Sequence, residues 1–452
     1  MKVLVFTSDI LPLPGLPTSG GGLRSWQIIQ GLKSAGLEVE YSMPIEDRYL
    51  SALYFDKIPA EAKANAWNKF NQKQIVEKVE PDVIVFANPD LNFLPHDIDI
   101  PIACDLHGPR IIEFELMTRD VDAKDRSRRL SIKINNLARA DFLTCAGKNQ
   151  RYYFLSFLLQ TGQVLKDIKI EYMPVSLSPE LPKPLKKNET INFIYAGGFY
   201  PWQEYHSGLF TLANFLKKNG KGILEIYGGS HRLFRQDYED FNYFKAEVSY
   251  NNVVHFKGYV TREDLIKKYC SSWVAFEVMG QNFERELAFT TRTVEFLWCG
   301  LPVVYNNYSN LSPYIKEYKA GWCVDPSQPS QIEEVVEQIL SNPELILKYG
   351  RNAQRLVREH FTWDKTIKPL AEFCQNPEKK ASHYSVLIVR KKKAKITFLD
   401  YIYTTLVGGG LTHFIEKSIK YVWWRIYTIF NQLLRGSGGK MKKDAEKRIS
   451  KG

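Results

Sequence analysis

The chain has 452 residues, more than one hydrophobic core usually serves, so two domains and an appendage are expected. Its 44% hydrophobic, 25% charged and 13% aromatic content is that of an ordinary soluble folded protein. The net charge of +11 is localised: residues 384–452 carry 15 Lys+Arg against 4 Asp+Glu, and the preceding 383 hold 46 of each. A neutral body argues against a basic nucleic-acid cleft, so no nucleic-acid partner is expected, whereas the tail is suited to an anionic surface.

The chain opens on KVLVFT (2–7), a β-rich run without the long apolar stretch of a signal peptide. A Pro/Gly-rich loop ends in Ser19-Gly20-Gly21-Gly22, and apolar residues at Leu23, Trp26, Ile29 and Leu32 then recur with helical spacing up to Gly36. LEVEYSM follows as a strand, which completes the strand–glycine loop–helix–strand unit of a doubly wound sheet. PDVIVFA (81–87), IPIACDL (100–106) and ADFLTCA (140–146) are nearly continuous apolar runs, as parallel strands covered on both faces require.

After the polar linker KPLKKN (183–188) the pattern restarts. INFIYAGG (191–198) reads as a strand ending in Gly197 and Gly198, and SGLFTLANFLKKNG (207–220) as a helix. ILEIYGG (223–229), NVVHFKG (252–258), WVAFEVM (273–279) and LPVVYNN (301–307) continue the strand series. Residues 327–360 hold two helical segments, and 361–374 a further helix able to cross back towards the first domain. The expected fold is therefore α/β, with Rossmann-like domains at 1–181 and 189–360, a crossover region at 361–383 and a basic tail at 384–452.

Six cysteines (Cys104, Cys145, Cys270, Cys299, Cys323, Cys374) are scattered without a C-x-x-C pair. They give neither a disulfide framework nor a metal site, which fits a reducing compartment. No window reaches about 18 uninterrupted apolar residues, so no simple transmembrane helix is expected. In the tail, RKKKAK (390–395) precedes Ile415, Ile419, Val422, Ile426, Ile429 and Leu433, which form an apolar face beside Lys417, Lys420, Arg425 and Arg435. With Trp423, Trp424 and Tyr427, this patterning suits an interfacial helix on an anionic membrane through 390–435. Packing on protein is the competing reading. A cytoplasmic protein, peripheral on the inner face of the membrane, is expected.

Two segments carry the chemistry. Gly20, Gly21 and Gly22 open a helix, where free N–H groups and the helix dipole favour an anion. Thr290 and Thr291 are candidate caps for a second such helix running to Cys299, with Gly300 as its stop. Glu295, one turn in, is placed to accept hydrogen bonds from ribose hydroxyls, and Glu284, Arg285 and Glu286 precede the helix. A solvated carboxylate is the bland alternative for Glu295 taken singly.

The stretch from Glu284 to Val304, ERELAFTTRTVEFLWCGLPVV, resembles the donor-binding signature of retaining glycosyltransferases of family 4, most closely members that build bacterial surface polysaccharides. The glycine loop, Asp105-Leu106-His107-Gly108 after a strand, the YAGG restart and the FTW start of the final helix agree with it over residues 1–375. The resemblance implies two Rossmann-like domains facing each other across a donor cleft (the GT-B fold). It implies transfer from a nucleotide-sugar donor to a glycan or lipid-linked acceptor with retention of configuration. Departing diphosphate would be stabilised by helix N-termini and cations, and the leaving phosphate would itself deprotonate the acceptor. His107, Glu286 and Arg292 are the implied residues at the reacting centre. Gly20, Gly21, Gly22, Gly197, Gly198, Glu284, Arg285, Thr290, Thr291 and Glu295 are the implied donor contacts. Arg110 and Glu113 are near enough in sequence to reach the same cleft. No metal-binding Asp-x-Asp pair lies near these loops, so no obligatory metal and no cofactor beyond the donor are expected.

The chain departs from the family pattern twice. Seven residues usually separate the two glutamates, but Leu287 stands eight before Glu295, so either Glu286 or Glu284 fills the first role. Many relatives carry an Arg and a Lys after the YAGG strand to grip the diphosphate. Here the stretch reads GGFYPWQEYHSG, and Arg292, Arg285 or Arg232 must substitute. A sugar-nucleotide epimerase and a non-catalytic membrane-associated scaffold of the same fold are the competing readings. A dehydrogenase is disfavoured by the lack of G-x-G-x-x-G after the first strand.

Overall fold

The computed structural model describes residues 1–7, 9–16, 18–44, 57–68, 71–87, 98–117, 122–229, 239–249 and 251–380. Met1–Leu387 form one compact unit. The basic tail from 384, with its expected membrane-facing segment 390–435, and Arg232 lie outside the described residues.

Two wholly parallel six-stranded sheets carry the unit. The first contains β1 (Lys2–Thr7), β2 (Glu38–Ser42), β3 (Val83–Ala87), β4 (Ile102–Leu106), β5 (Phe142–Cys145) and β6 (Glu171–Tyr172), in the order β2-β1-β3-β4-β5-β6. The second contains β7 (Asn192–Gly198), β8 (Ile223–Gly229), β9 (Val254–Gly258), β10 (Val274–Glu277), β11 (Val303–Asn306) and β12 (Gly321–Val324), in the order β12-β11-β10-β7-β8-β9. Every residue of β3 and β4, and of β10 and β11, is buried, because helices cover both faces of each sheet. The strand order reverses between β1 and β3 and between β7 and β10. In open α/β sheets, ligands bind outside the carboxyl ends of strands at such reversals.

The last helices, Trp363–Thr366 and Lys368–Gln375, return to the first domain. Ile367, Leu370 and Cys374 there join Ile28, Ile29 and Leu32 of the helix Gly20–Ser34 in one apolar cluster. The contact is close enough to need a glycine: a Cβ on Gly31 would sit 2.8 Å from Ile367. Where the two domain crossings run side by side, Leu177 donates to the Phe361 carbonyl (2.9 Å) and Trp363 donates to the Leu177 carbonyl (3.0 Å). Beside them, the Ser176 and Thr366 hydroxyls are 2.7 Å apart. This double strap is the structural link on which the domains are hung.

Candidate donor cleft

Two helix N-termini meet at the carboxyl ends of the sheets. Ser19 caps Gly20–Ser34 by accepting from the Gly22 amide at 3.2 Å, and its own hydroxyl donates to Asp9. Gly20 faces the second domain, where a Cβ on it would stand 3.4 Å from the Thr291 hydroxyl. Thr291 begins the helix Thr291–Trp298. Gly21 and Gly22 answer a different demand. Their Cβ atoms would lie 2.8 Å from the Asp9 carboxylate and 1.8 Å from the Ile10 carbonyl, so the loop can pack against the helix only without side chains. Thr290 occupies the N-cap position without capping. Its hydroxyl instead meets those of Thr293 (2.6 Å) and Tyr305 (2.9 Å), which leaves the first amides of the helix unsatisfied by that side chain.

At the β7/β10 reversal, Arg292 is fixed on three sides. Its Nη2 is 3.1 Å from Glu277 Oε1, its Nη1 donates to the Ala196 carbonyl at 2.6 Å, and its guanidinium lies 4.7 Å from the centroid of the Tyr195 ring. Burial opposes the charge, but Glu277 outweighs it, and the guanidinium is held above its ordinary pKa as a permanent cation. Thr293 donates to the other Glu277 oxygen. Gly197 makes room for this arrangement, since a Cβ there would fall 2.3 Å from Arg292 Nη1. Gly198 approaches the Tyr200 ring in the same way, at 2.7 Å.

Glu295 lies one turn into the helix, buried, and is joined by Arg262 at 2.7 Å. Asn282 caps the short helix Phe283–Leu287 through the Arg285 amide (2.9 Å). Glu284 and Arg285 are both buried there and bind each other through two contacts, one of 2.8 Å. Arg285 is likewise kept charged, because the Glu284 charge overcomes desolvation. Glu286 points differently. Its carboxylate accepts from Gln281 at 2.7 Å, and its carbonyl accepts from Asn149 of the first domain (3.4 Å) and Asn310 of the second (3.2 Å).

The first domain supplies the opposite wall. Asp105 at the end of β4 is engaged inside it: Arg24 binds it through two nitrogens, at 2.9 and 2.8 Å, and Thr144 donates at 2.7 Å. Burial alone would raise the Asp105 pKa, but Arg24 brings it below the usual carboxylate value. His107 follows, with Nδ1 buried and without a hydrogen-bond partner. Desolvation lowers its pKa to about 4, so the imidazole is neutral at ordinary pH. Glu113 is raised, first by burial; Arg110, Arg285 and Lys133 oppose this and Glu284 adds to it. Lys133 is lowered to about 8 by burial, with its ammonium 4.7 Å from the centroid of the Phe154 ring.

The structure therefore brings Gly20, Thr291 and Thr290 together at one point, and Gly197 and Arg292 at another. Glu284 and Arg285 come within electrostatic reach of Glu113, on the far wall. The Glu286 carboxylate bonds sideways to Gln281. Glu277, Arg262 and Arg24 escape the sequence reading, although each holds a residue that reading selects or its neighbour. Glu277 left a signal, being the one charged residue in the apolar run WVAFEVM. The pairs Arg292–Glu277, Arg285–Glu284 and Arg262–Glu295 neutralise one another. The converging helix N-termini are thus the main source of positive potential for an anion here. Among the described residues, no three His, Cys, Asp or Glu side chains are grouped to hold a metal ion.

Known proteins agree with this arrangement. Residues 178–356 match the family model described as glycosyl transferases group 1. An uncharacterized glycosyltransferase of Methanocaldococcus jannaschii is 22% identical over 239 residues, which cover 51% of this chain and 57% of that protein. The match thus spans little more than half the length of that curated relative. The sucrose-phosphate synthase of Thermosynechococcus elongatus superposes with a TM-score of 0.58 at 15% identity, covering 83% of this chain and 98% of its own. Anabaena HepE in complex with UDP and glucose gives 0.56 at 14% identity, covering 83% and 100%. An alpha-glucosyltransferase in complex with UDP-glucose and DNA containing an abasic site gives 0.58 at 13%, covering 83% and 99%. The match to group 1 glycosyl transferases thus covers residues 178–356, and the two parallel-sheet α/β domains have the GT-B fold of these solved structures.

Proposed function

We propose that this glycosyltransferase transfers a hexose from a nucleotide-sugar donor to a glycan or lipid-linked acceptor with retention of configuration. The observation that carries the donor reading is the meeting of Gly20 and Thr291, which brings the amide ends of two helices to one place at the carboxyl ends of both sheets. A diphosphate bound there gains charge stabilisation without a dedicated cation pair, and that stabilisation grows as the sugar–phosphate bond breaks. Arg292, rigid and always charged, is the cation best positioned to support the departing phosphate. Glu295 takes the ribose, with Arg262 orienting its carboxylate. Glu284 is the better first glutamate, because it faces the opposite wall while the Glu286 carboxylate is bound to Gln281.

His107 is a neutral polar group at the sugar position, suited to hydrogen bonding and not to charge. Domain closure excludes water, and Asn149 and Gln150 supply its latch by donating to Asn310 and to the carbonyls of residues 286 and 287. We propose no obligatory metal, since the converging helix ends supply positive potential where a metal would otherwise be needed. The basic patterning of 390–435 supports a peripheral seat on an anionic membrane and, with it, a lipid-linked acceptor.

A thermal-shift screen against UDP, GDP, dTDP, ADP and CMP, with and without Mg²⁺, tests the donor reading. A selective shift that Glu295→Gln abolishes supports it. No shift with any nucleotide favours the scaffold alternative.

A further inference from the structure

A second cavity, of about 400 Å³, opens beside the donor segment and is lined by neither His107 nor any of the proposed nucleotide contacts. The first domain contributes Lys148 and Tyr172, from the carboxyl ends of β5 and β6. The second contributes Tyr308, Asn310, Tyr314 and Glu317, from the loop and helix after β11. The walls are built and not incidental. The Tyr308 hydroxyl donates to the Met279 and Gly280 carbonyls, each at 2.9 Å. The Tyr314 ring packs edge-on against Phe361, with centroids 5.2 Å apart. Burial first, then the neighbouring Tyr314 hydroxyl, raise the Tyr172 pKa, so its phenol stays neutral and able to donate.

We propose that this cavity binds a neutral pyranose unit of the acceptor glycan. This proposal rests on the glycosyltransferase reading and adds to it the acceptor class and its place. Three tyrosines in the lining are suited to packing on sugar C–H groups, while two amides, an ammonium and a carboxylate suit hydroxyls of either polarity. A single exposed lysine, its ammonium 5.9 Å from the Tyr172 ring centroid, in a cavity also lined by a carboxylate does not suit a phosphate, and the polar rim does not suit an acyl chain. The volume lies in the range that small-molecule sites use, about 300–1,000 Å³. The position is equally specific. Asn149 and Asn310, which line this cavity, also hold the Glu286 carbonyl, two residues from Glu284. A sugar seated between Tyr172 and Tyr308 touches both domains, so it binds better to the closed form and favours closure on the donor.

The test is saturation-transfer NMR on the full chain with the methyl α-glycosides of glucose, galactose and N-acetylglucosamine. Each is run alone and with the five nucleotides of the thermal-shift screen. Transfer to at least one glycoside is expected, with affinity falling about tenfold in Tyr172→Ala and in the surface variant Lys148→Ala. Lys148→Ala should keep the wild-type melting temperature, and both variants the wild-type nucleotide shift, which separates loss of a contact from loss of the fold. Nucleotide shifts without transfer from any glycoside, or transfer that both variants leave unchanged, would overturn the cavity proposal and leave the donor reading standing. Tyrosine-dependent transfer without any nucleotide shift would uphold the cavity as a sugar site and remove the donor reading instead.

Discussion

Arg292 reaches across the β7/β10 reversal to Glu277, with Nη2 3.1 Å from Oε1, and the same carboxylate takes the Thr293 hydroxyl. One buried acid thereby fixes two consecutive residues at the start of the helix Thr291–Trp298, the helix whose amides are proposed to meet the donor. Neither residue is a surface charge, so the pair is a structural commitment at the centre of the second domain.

Glu277→Gln should therefore act on stability first. It leaves a buried guanidinium without its counter-charge, a loss of about 3–5 kcal/mol for pairs of this kind. Arg292→Lys keeps the charge but gives up the fork that binds Glu277 and Ala196 together, and nucleotide affinity is expected to fall about tenfold. Urea denaturation and nucleotide titration of the two variants separate these effects. Wild-type affinity in Arg292→Lys would remove Arg292 from the phosphate site.

The glycine loop divides by the same logic into packing and contact. Gly22→Ala places a methyl 1.8 Å from the Ile10 carbonyl and must displace backbone, so the first domain should be destabilised by more than 2 kcal/mol, on the order of a strained core substitution. Gly20→Ala meets the Thr291 side chain at an ordinary 3.4 Å and should melt close to wild type. If the diphosphate lies where the two helices meet, Gly20→Ala nevertheless weakens nucleotide binding. Equal nucleotide shifts in Gly20→Ala and wild type would move the phosphates elsewhere.

Much of this was legible in the sequence. Continuous apolar runs such as VIVFA and VAFE announce parallel strands because helices bury them on both sides, and the YAGG restart announces a second sheet. The short edge strands Glu171–Tyr172 and Gly321–Val324 escaped, being too short or too polar to show a period. At the site, spacing singled out Arg292 and Glu295 but not their partners. Glu277 is 15 residues from Arg292, and Arg262 is 33 from Glu295. Only the strand order brings such pairs together. Asp105 reads as part of a loop motif, yet its carboxylate turns inward to an arginine 81 residues away.

That inward pair gives a third expectation. Arg24 and Asp105 are almost wholly buried, and Arg24 also donates to the Met173 and Pro174 carbonyls at 2.5 and 2.8 Å. It therefore ties β4 to the strap between domains. Arg24→Met should cost about 3–5 kcal/mol by stranding a buried carboxylate, and Arg24→Met with Asp105→Leu should recover a large part of that loss. Denaturation of the single and double variants measures the coupling. Additive losses would show that the two residues stabilise the domain independently.

Glu295 and Arg262 form the complementary case, a buried carboxylate paired with a partly exposed arginine. Arg262→Ala should cost about 1–3 kcal/mol, less than at the fully buried pairs, because the arginine is more than a quarter exposed although the Glu295 carboxylate it leaves is buried. It releases the Glu295 carboxylate to wander, so nucleotide affinity should drop, though less than in Glu295→Gln. Calorimetric titration with the best nucleotide ranks the three proteins. Tighter binding in Arg262→Ala would mean that the arginine competes with the ribose.

His107 sets the pH behaviour. Its pKa is about 4 in the folded chain because burial disfavours the imidazolium, against 6.5 for an ordinary histidine. The unfolded chain therefore binds a proton below about pH 6.5 that the folded chain refuses until about pH 4. Stability contributed by this site is complete above pH 6.5, declines as pH falls towards 4, and changes no further below that. Asp105 works in a lower window: its folded pKa lies beneath 3.8, so its contribution is lost only in stronger acid. His107→Gln should flatten the slope between about pH 4.5 and 6.5 and leave the acid collapse in place, as melting curves across that range would record. Turnover should follow the same group. If His107 lies at the reacting sugar as proposed, the acid limb of kcat/KM attributable to it falls near pH 4. An acid limb near pH 6.5 that disappears in His107→Gln would instead mean that the imidazole is solvated in the working enzyme, with the cleft open when the proton binds.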